Sequence, residues 1–267
     1  MWDPKTYLTY ADERTRPARD LLAGVDVADA LRVVDLGCGT GTSTRLLAAR
    51  WPDAYVVGSD SSPEMIETAR ADSVGGAPGA NGHGHCRYEI ADAATWKPDQ
   101  PVDVVFSNAL LQWVTGHREM FGRWLAALTP GGRLAFQVPA NFEAPQQTLL
   151  RELCDSPAWR ARLSGIPGRH EFVHTPAEYA DALVAAGGRP DVWETTYLHR
   201  LTGDDPVLRW TMGTALRPVL RALDADPAAK EAFLGEYGAA LRAAYPVGKD
   251  GVTTFPFRRI FAVAAPG

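Results

Sequence analysis

The chain has 267 residues, 46% hydrophobic and 22% charged, with 27 Lys+Arg against 32 Asp+Glu and a formal net charge of −5. That length holds one large α/β domain, or one domain with a sizeable insertion, and the mild acidity argues against a nucleic-acid partner, which needs a basic excess. No apolar run reaches the roughly 18 residues of a membrane span and Met1-Trp2-Asp3-Pro4-Lys5 starts no secretory signal, so a cytoplasmic protein with no membrane partner is expected.

From residue 31 the chain alternates short apolar runs with amphipathic stretches, the pattern of βα units on a parallel sheet. Residues 31–36 read as a buried strand ending in Gly37-Cys38-Gly39-Thr40-Gly41, and 42–51 as a helix. A second strand covers 54–59 and ends at Asp60. Ser62 is placed to cap the next helix, with Pro63 at its first position, where a missing N–H is harmless. Residues 73–85 form a glycine-rich loop whose His83 and His85 read as solvated rather than metal-binding, since no carboxylate or cysteine partner has suitable spacing. Strands are expected at 87–91, 102–107 and 132–138, with a helix over 117–128 and a turn at 129–132. Beyond Pro139 helical segments dominate. A helix at 176–186 ends at Gly187, a strand covers 190–199, a helical stretch runs over 204–243, and a last strand covers 255–264. The plan is an N-terminal helical lid (1–30), a sheet core (31–140), and a remainder (141–267) carrying helical insertions at 141–175 and 204–250. Cys38, Cys86 and Cys154 have neither disulfide nor metal spacing, and no metal site is expected.

A strand running into Gly-x-Gly-x-Gly and then a helix is a nucleotide-type site, because glycines let the backbone approach a ligand at the positive end of the helix. The dinucleotide fingerprint needs a further glycine where Thr42 stands, and Asp35 would repel a pyrophosphate. An acid there suits a ligand carrying an ammonium group. Asp60 closes the second strand nineteen residues after Gly41, the place from which a carboxylate can accept ribose hydroxyls. Asp92, just past the third strand, is placed to meet an adenine amino group, with local capping as the alternative.

Asp35-Leu36-Gly37-Cys38-Gly39-Thr40-Gly41, Asp60 and Asp92 resemble the S-adenosylmethionine site of class I methyltransferases. More narrowly, WDPKTYLTYADERTRPARDLL at the start, FSNALLQWV at 106–114, LRPVL at 216–220 and FPFRRIFAVA near the end are similar to trans-aconitate 2-methyltransferases. The resemblance covers nearly the whole chain and departs chiefly at 73–85. It implies a Rossmann-like fold, with a seven-stranded mostly parallel sheet, helices on both faces and helical caps. It also implies S-adenosyl-L-methionine as cofactor, held by Asp35, Gly37, Gly39, Asp60, Ser61, Met65, Asp92, Ala93 and Asn108. The activity implied is O-methylation of trans-aconitate or a related polycarboxylate by a monomer, with another small-molecule acceptor, such as an acyl thioester carboxylate or a phenol, as the alternative.

A carboxylate acceptor is already ionised at pH 7, so no general base is required, and His117 reads as a helix-start residue. A trianion held by a −5 protein needs a local cluster of guanidinium groups. Of 23 Arg and 4 Lys, the candidates are Arg14, Arg16, Arg217, Arg258 and Arg259. Neighbours on a strand face opposite sides, so Arg258 and Arg259 cannot share one pocket. Tyr7, Tyr10 and Trp113 are the aromatic candidates to close over the site.

Overall fold

The computed structural model describes residues 11–73, 85–166 and 173–267. Helix α1 (Ala11–Ala23) leads into β1 (Arg32–Leu36), α2 (Thr42–Arg50), β2 (Tyr55–Asp60), α3 (Pro63–Ser73), β3 (His85–Ile90) and β4 (Val102–Asn108). Two 3-10 turns (Leu111–Trp113, His117–Met120) precede α4 (Phe121–Ala126) and β5 (Leu128–Pro139). Then come α5 (Pro145–Asp155), α6 (Arg160–Leu163), α7 (Pro176–Ala185), β6 (Gly188–Leu201), α8 (Pro206–Met212), α9 (Arg217–Ala222), α10 (Pro227–Ala244) and β7 (Thr253–Pro266).

The seven strands form one sheet in the order β3-β2-β1-β4-β5-β7-β6. Strands β3 through β5 pair in parallel, and β7 runs antiparallel to β5. The order reverses between β1 and β4, so their carboxyl ends border a crevice of the kind in which open α/β sheets bind ligands. Asp35, Phe106 and Ala135 are register partners across β1, β4 and β5 and lie on one face; Asn108 and Gln137 extend that face to the carboxyl edge. Helix α2 covers this face through Ser43 and Thr44, which bond Asp35. On the opposite face Phe136 stacks on Phe121 of α4, 5.2 Å between centroids, and meets Tyr179 of α7 edge-on.

By internal contacts the described residues divide into two compact units. A sheet unit comprises 14–139, 173–195 and 259–267, and a helical unit comprises 11–13, 140–166 and 196–258. The helical unit has its own core, in which Trp159 meets Phe233 edge-on at 5.2 Å and Leu163, Leu216, Val219, Tyr237 and Phe255 are fully buried.

Several boundaries differ from expectation. The helix expected over 117–128 is a 3-10 turn followed by a short α4, and β5 starts at Leu128, so the expected turn at 129–132 lies inside the strand. The cause is a bulge: Val102 pairs with Leu128 but Val104 with Arg133. Asp103 stands opposite the extra residues. It accepts hydrogen bonds from Thr129 Oγ1 at 2.7 Å and from the Leu31 and Arg32 amides at 2.8 and 2.9 Å. The stretch 204–243 is three helices, because Pro206, Pro218 and Pro227 each stand in a first turn, where proline starts a helix and forbids its continuation from upstream.

Candidate active site

The β1–α2 loop turns on three glycines with positive φ, at 72°, 55° and 80° for Gly37, Gly39 and Gly41. A Cβ on Gly37 would lie 2.7 Å from Leu110 Cδ1, and one on Gly41 would lie 2.6 Å from Tyr88 Oη. A Cβ on Gly39 would meet nothing within 4 Å. The first and third glycines therefore let neighbours pack in, while the middle one faces open space.

Asp60 ties this loop to the next. Its Oδ2 accepts the Gly39 amide at 3.0 Å and its Oδ1 the Ser62 amide at 2.9 Å. A carboxylate has lone pairs for about four hydrogen bonds, so capacity for ligand hydroxyls remains. Ser61 is exposed and Met65 half-buried, with the Met65 amide donating to Ser62 Oγ at 3.3 Å. Ser62 is thus the expected cap.

Asp35 is fully buried; its Oδ2 accepts hydrogen bonds from Ser43 Oγ and Thr44 Oγ1, both at 2.7 Å, while its Oδ1 has no partner. Burial pushes its carboxyl up to about 6, with the nearby Asp60 charge acting in the same direction and the two hydroxyls opposing. Burial, then Asp35 and Asp60, also push the Cys38 thiol up, so it stays a protonated packing residue.

At the end of β4, Asn108 is half-buried and its Oδ1 lacks a partner. Ala109 holds φ 57°, a strained value for a residue with a Cβ. Its amide donates to the Gln137 carbonyl at 2.9 Å and its carbonyl accepts from Gln112 Nε2 at 2.6 Å, which fixes the strain. Asp92 is exposed, and its Oδ1 accepts the Ala94 amide at 2.9 Å, so local capping occupies one oxygen. Ala93 is buried. Asp35 Oδ1 and Asn108 Oδ1 are acceptors lacking donors on one face of the carboxyl edge, beside the open space at Gly39. An ammonium-bearing ligand fits that chemistry.

A methyltransferase-domain family model matches residues 33–132. Curated trans-aconitate 2-methyltransferases from Streptomyces coelicolor and Rhodococcus jostii are 54% and 49% identical to this chain. The first alignment covers 98% of this chain and 86% of the relative, the second 99% of each. The chain belongs to the trans-aconitate 2-methyltransferase family. Among solved structures, the YcgJ protein from Bacillus subtilis superposes with a TM-score of 0.60 at 14% identity, covering 94% of this chain and 99% of the other. A phosphoethanolamine N-methyltransferase 2 from Haemonchus contortus, in complex with S-adenosyl-L-methionine, gives 0.55 at 17%, covering 94% and 53%. Both likenesses concern the fold.

In this trans-aconitate 2-methyltransferase family member the sheet unit gathers Asp35, Gly37, Gly39, Asp60, Ser61, Met65, Asp92, Ala93 and Asn108 at the carboxyl ends of β1 to β4. Trp113 follows β4 with 69% of its surface exposed. The arginines separate. Arg259 is buried in the sheet unit and donates to Gln137 Oε1 at 3.3 Å, whereas Arg258 is exposed in the helical unit, as strand alternation requires. Arg16 is exposed on α1 and paired with Asp20 at 3.7 Å. Arg217 starts α9 in the helical unit, half-buried and in no ion pair with another described residue. Tyr7 and Tyr10, like most of the 73–85 loop with His83, lie outside the described residues; Arg14 stands within α1.

His117 is buried at a 3-10 turn, its Nδ1 3.0 Å from the Val114 carbonyl and its Nε2 3.1 Å from Tyr179 Oη. Burial lowers its pKa to about 4. It is a packing histidine. Sequence reasoning missed Ala109, whose strain carries no signal, and Gln137, whose signal was a lone polar residue inside the apolar run LAFQVP.

Proposed function

We propose that the chain is an S-adenosylmethionine-dependent O-methyltransferase that forms a monomethyl ester of trans-aconitate. The observation that carries the cofactor half is the pair of buried acceptors without donors, Asp35 Oδ1 and Asn108 Oδ1, beside the Gly39 opening. Asp35 and Asn108 would hold the methionyl ammonium, Asp60 and Ser61 the ribose, and Asp92, Ala93 and Met65 the adenine. When bound, the cofactor supplies a methyl group on a sulfonium.

The chain's residues then have two tasks, to align an acceptor oxygen and to exclude water. The acceptor carboxylate is ionised at pH 7, so nothing need remove a proton, in keeping with a neutral, buried His117. Arg259, buried in the sheet unit, binds a carboxylate of the polyanion, and Arg14, Arg16, Arg217 and Arg258 are the further candidate arginines, each able to bond a carboxylate through two donors. Trp113, with Tyr7 and Tyr10, would shield the reacting groups. No described helix is long and apolar enough to cross a membrane, and the proposed enzyme is a cytoplasmic monomer that binds no nucleic acid.

The test is incubation of purified protein with S-adenosylmethionine and a panel of di- and tricarboxylates, with ester detection by mass spectrometry. A trans-aconitate monomethyl ester is expected; no ester from any acid overturns the proposal.

A further inference from the structure

Gln137 is a glutamine with 0% exposure on the central strand β5. Its side-chain orientation follows from its neighbour. Arg259 has only donors, so the atom facing its Nη1 at 3.3 Å must be the amide oxygen Oε1. The Nε2 amide group is left without a hydrogen-bond partner. A buried donor in that state is costly, by an amount comparable to a lost hydrogen bond, and calls for an explanation.

Position supplies one. Gln137 is the register partner of Asn108 on β4 and stands one diagonal step from Arg259 on β7, since β7 pairs Phe261 with Gln137 and Arg259 with Pro139. Asn108, Gln137 and Arg259 thus share one sheet face at the carboxyl edge, all within the sheet unit. Arg259 is itself 94% buried, at 6% exposure. A neutral amide donor beside a buried guanidinium is a two-donor arrangement for an anion, and planar carboxylates take such donors in a bidentate manner.

We propose that Gln137 is a substrate-binding residue: its Nε2 and the Arg259 guanidinium seat one carboxylate of the acceptor acid, while its Oε1 fixes the guanidinium in place. The inference rests on the trans-aconitate reading. Gln137 also holds the Ala109 amide through its backbone carbonyl, so the seat and the strained turn after Asn108 share an anchor.

Two substitutions separate this role from a structural one. Gln137→Glu keeps an oxygen facing Arg259, so a purely structural role predicts near-normal behaviour, whereas the seat would then present a negative charge to the substrate. Gln137→Met removes the donor at similar volume. The KM for trans-aconitate is expected to rise about tenfold in Gln137→Met, the size of one lost charge-assisted hydrogen bond, and further in Gln137→Glu, with kcat changing less. Calorimetric affinity for S-adenosylhomocysteine should stay within about twofold, which reports folding at the same time. Ki values for the three dicarboxylates that each lack one carboxylate complete the test: the acid lacking the seated group should inhibit wild type and Gln137→Met equally. An unchanged KM, a Gln137→Glu variant better than Gln137→Met, or equal loss for all three acids overturns the proposal. If wild type forms no trans-aconitate ester, the function reading fails separately. Calorimetry of trans-aconitate on wild type and Gln137→Met then decides the seat: weaker binding to the variant upholds it, and equal binding or none to wild type overturns it.

Discussion

The two compact units treat buried polar groups and charges differently. In the helical unit Tyr237 Oη donates to the Gln146 carbonyl at 2.6 Å, and Tyr245 Oη accepts the Gln146 amide at 3.2 Å while donating to Gln146 Oε1. Four of its arginines pair with carboxylates of the same unit: Arg242 with Asp205, Arg162 with Asp226, Arg200 with Asp250 and Arg151 with Glu143. At the carboxyl edge of the sheet unit, Asp35 Oδ1, Asn108 Oδ1 and Gln137 Nε2 have no partner, and Ala109 holds a strained φ. The helical unit also leaves Gln146 Nε2 and Ser156 Oγ without partners and holds Asp205 at φ 45°, so the contrast lies in alignment. At the sheet edge three unpartnered groups stand on one face of the neighbouring strands β1, β4 and β5, which marks a place where a ligand completes the structure. In the helical unit, these exposed ion pairs mark places where it does not.

The contrast is broken most strongly at the glycine turn. Gly41→Ala combines a φ of 80° with a Cβ 2.6 Å from Tyr88 Oη, so a loss of about 3 kcal/mol or more is expected by thermal melting, together with loss of cofactor binding by calorimetry. Gly39→Ala meets no atom within 4 Å, so only its φ of 55° is strained and the cost should be about 1–2 kcal/mol in stability. A smaller melting shift at Gly41 than at Gly39 would contradict the packing argument.

Asp35 gives the next effect. Its folded-state pKa of about 6 lies above the ordinary 3.8, so between those values the folded protein holds a proton that the unfolded chain has lost. Stability contributed by this group therefore falls as pH rises from about 4 to 6, by at most about 3 kcal/mol. Asp35→Asn retains an acceptor for Ser43 and Thr44 and should flatten that slope in denaturant titrations. Cofactor affinity in wild type should rise from pH 5 to 7 as the carboxylate ionises, and this rise should vanish in the variant.

Arg217→Ala tests the one arginine of the helical unit singled out above as lacking an ion pair. KM for trans-aconitate should rise about tenfold with a melting temperature near wild type, as for a lost charge-assisted bond. Arg242→Ala, which breaks an exposed pair with Asp205, should change stability by less than about 1 kcal/mol and leave KM unmoved. If Arg242→Ala raised KM as much as Arg217→Ala, the division between closed pairs and ligand-ready groups would fall.

Much of the sheet unit was legible because its signals are local. Strand, glycine turn and helix follow from periodicity and from the need for positive φ at residues 37, 39 and 41, and Ser62-Pro63 marks a helix start on capping grounds alone. The helical unit was less so. Its helical character showed, but the breaks at Pro206, Pro218 and Pro227 fell within one continuous helical pattern, and its core of Trp159, Phe233, Tyr237 and Phe255 joins residues far apart in the chain.

The sequence by itself determined the βα order, the acids that close β1 and β2, and the need for guanidinium groups in an acidic protein, because each depends on residues near one another or on total charge. Only the tertiary structure decided that Asp35 spends one oxygen on Ser43 and Thr44, that Ala109 is strained, and that Arg259 rather than Arg258 turns into the sheet unit to meet Gln137. Those outcomes depend on strand register, and register is set by packing across the whole sheet.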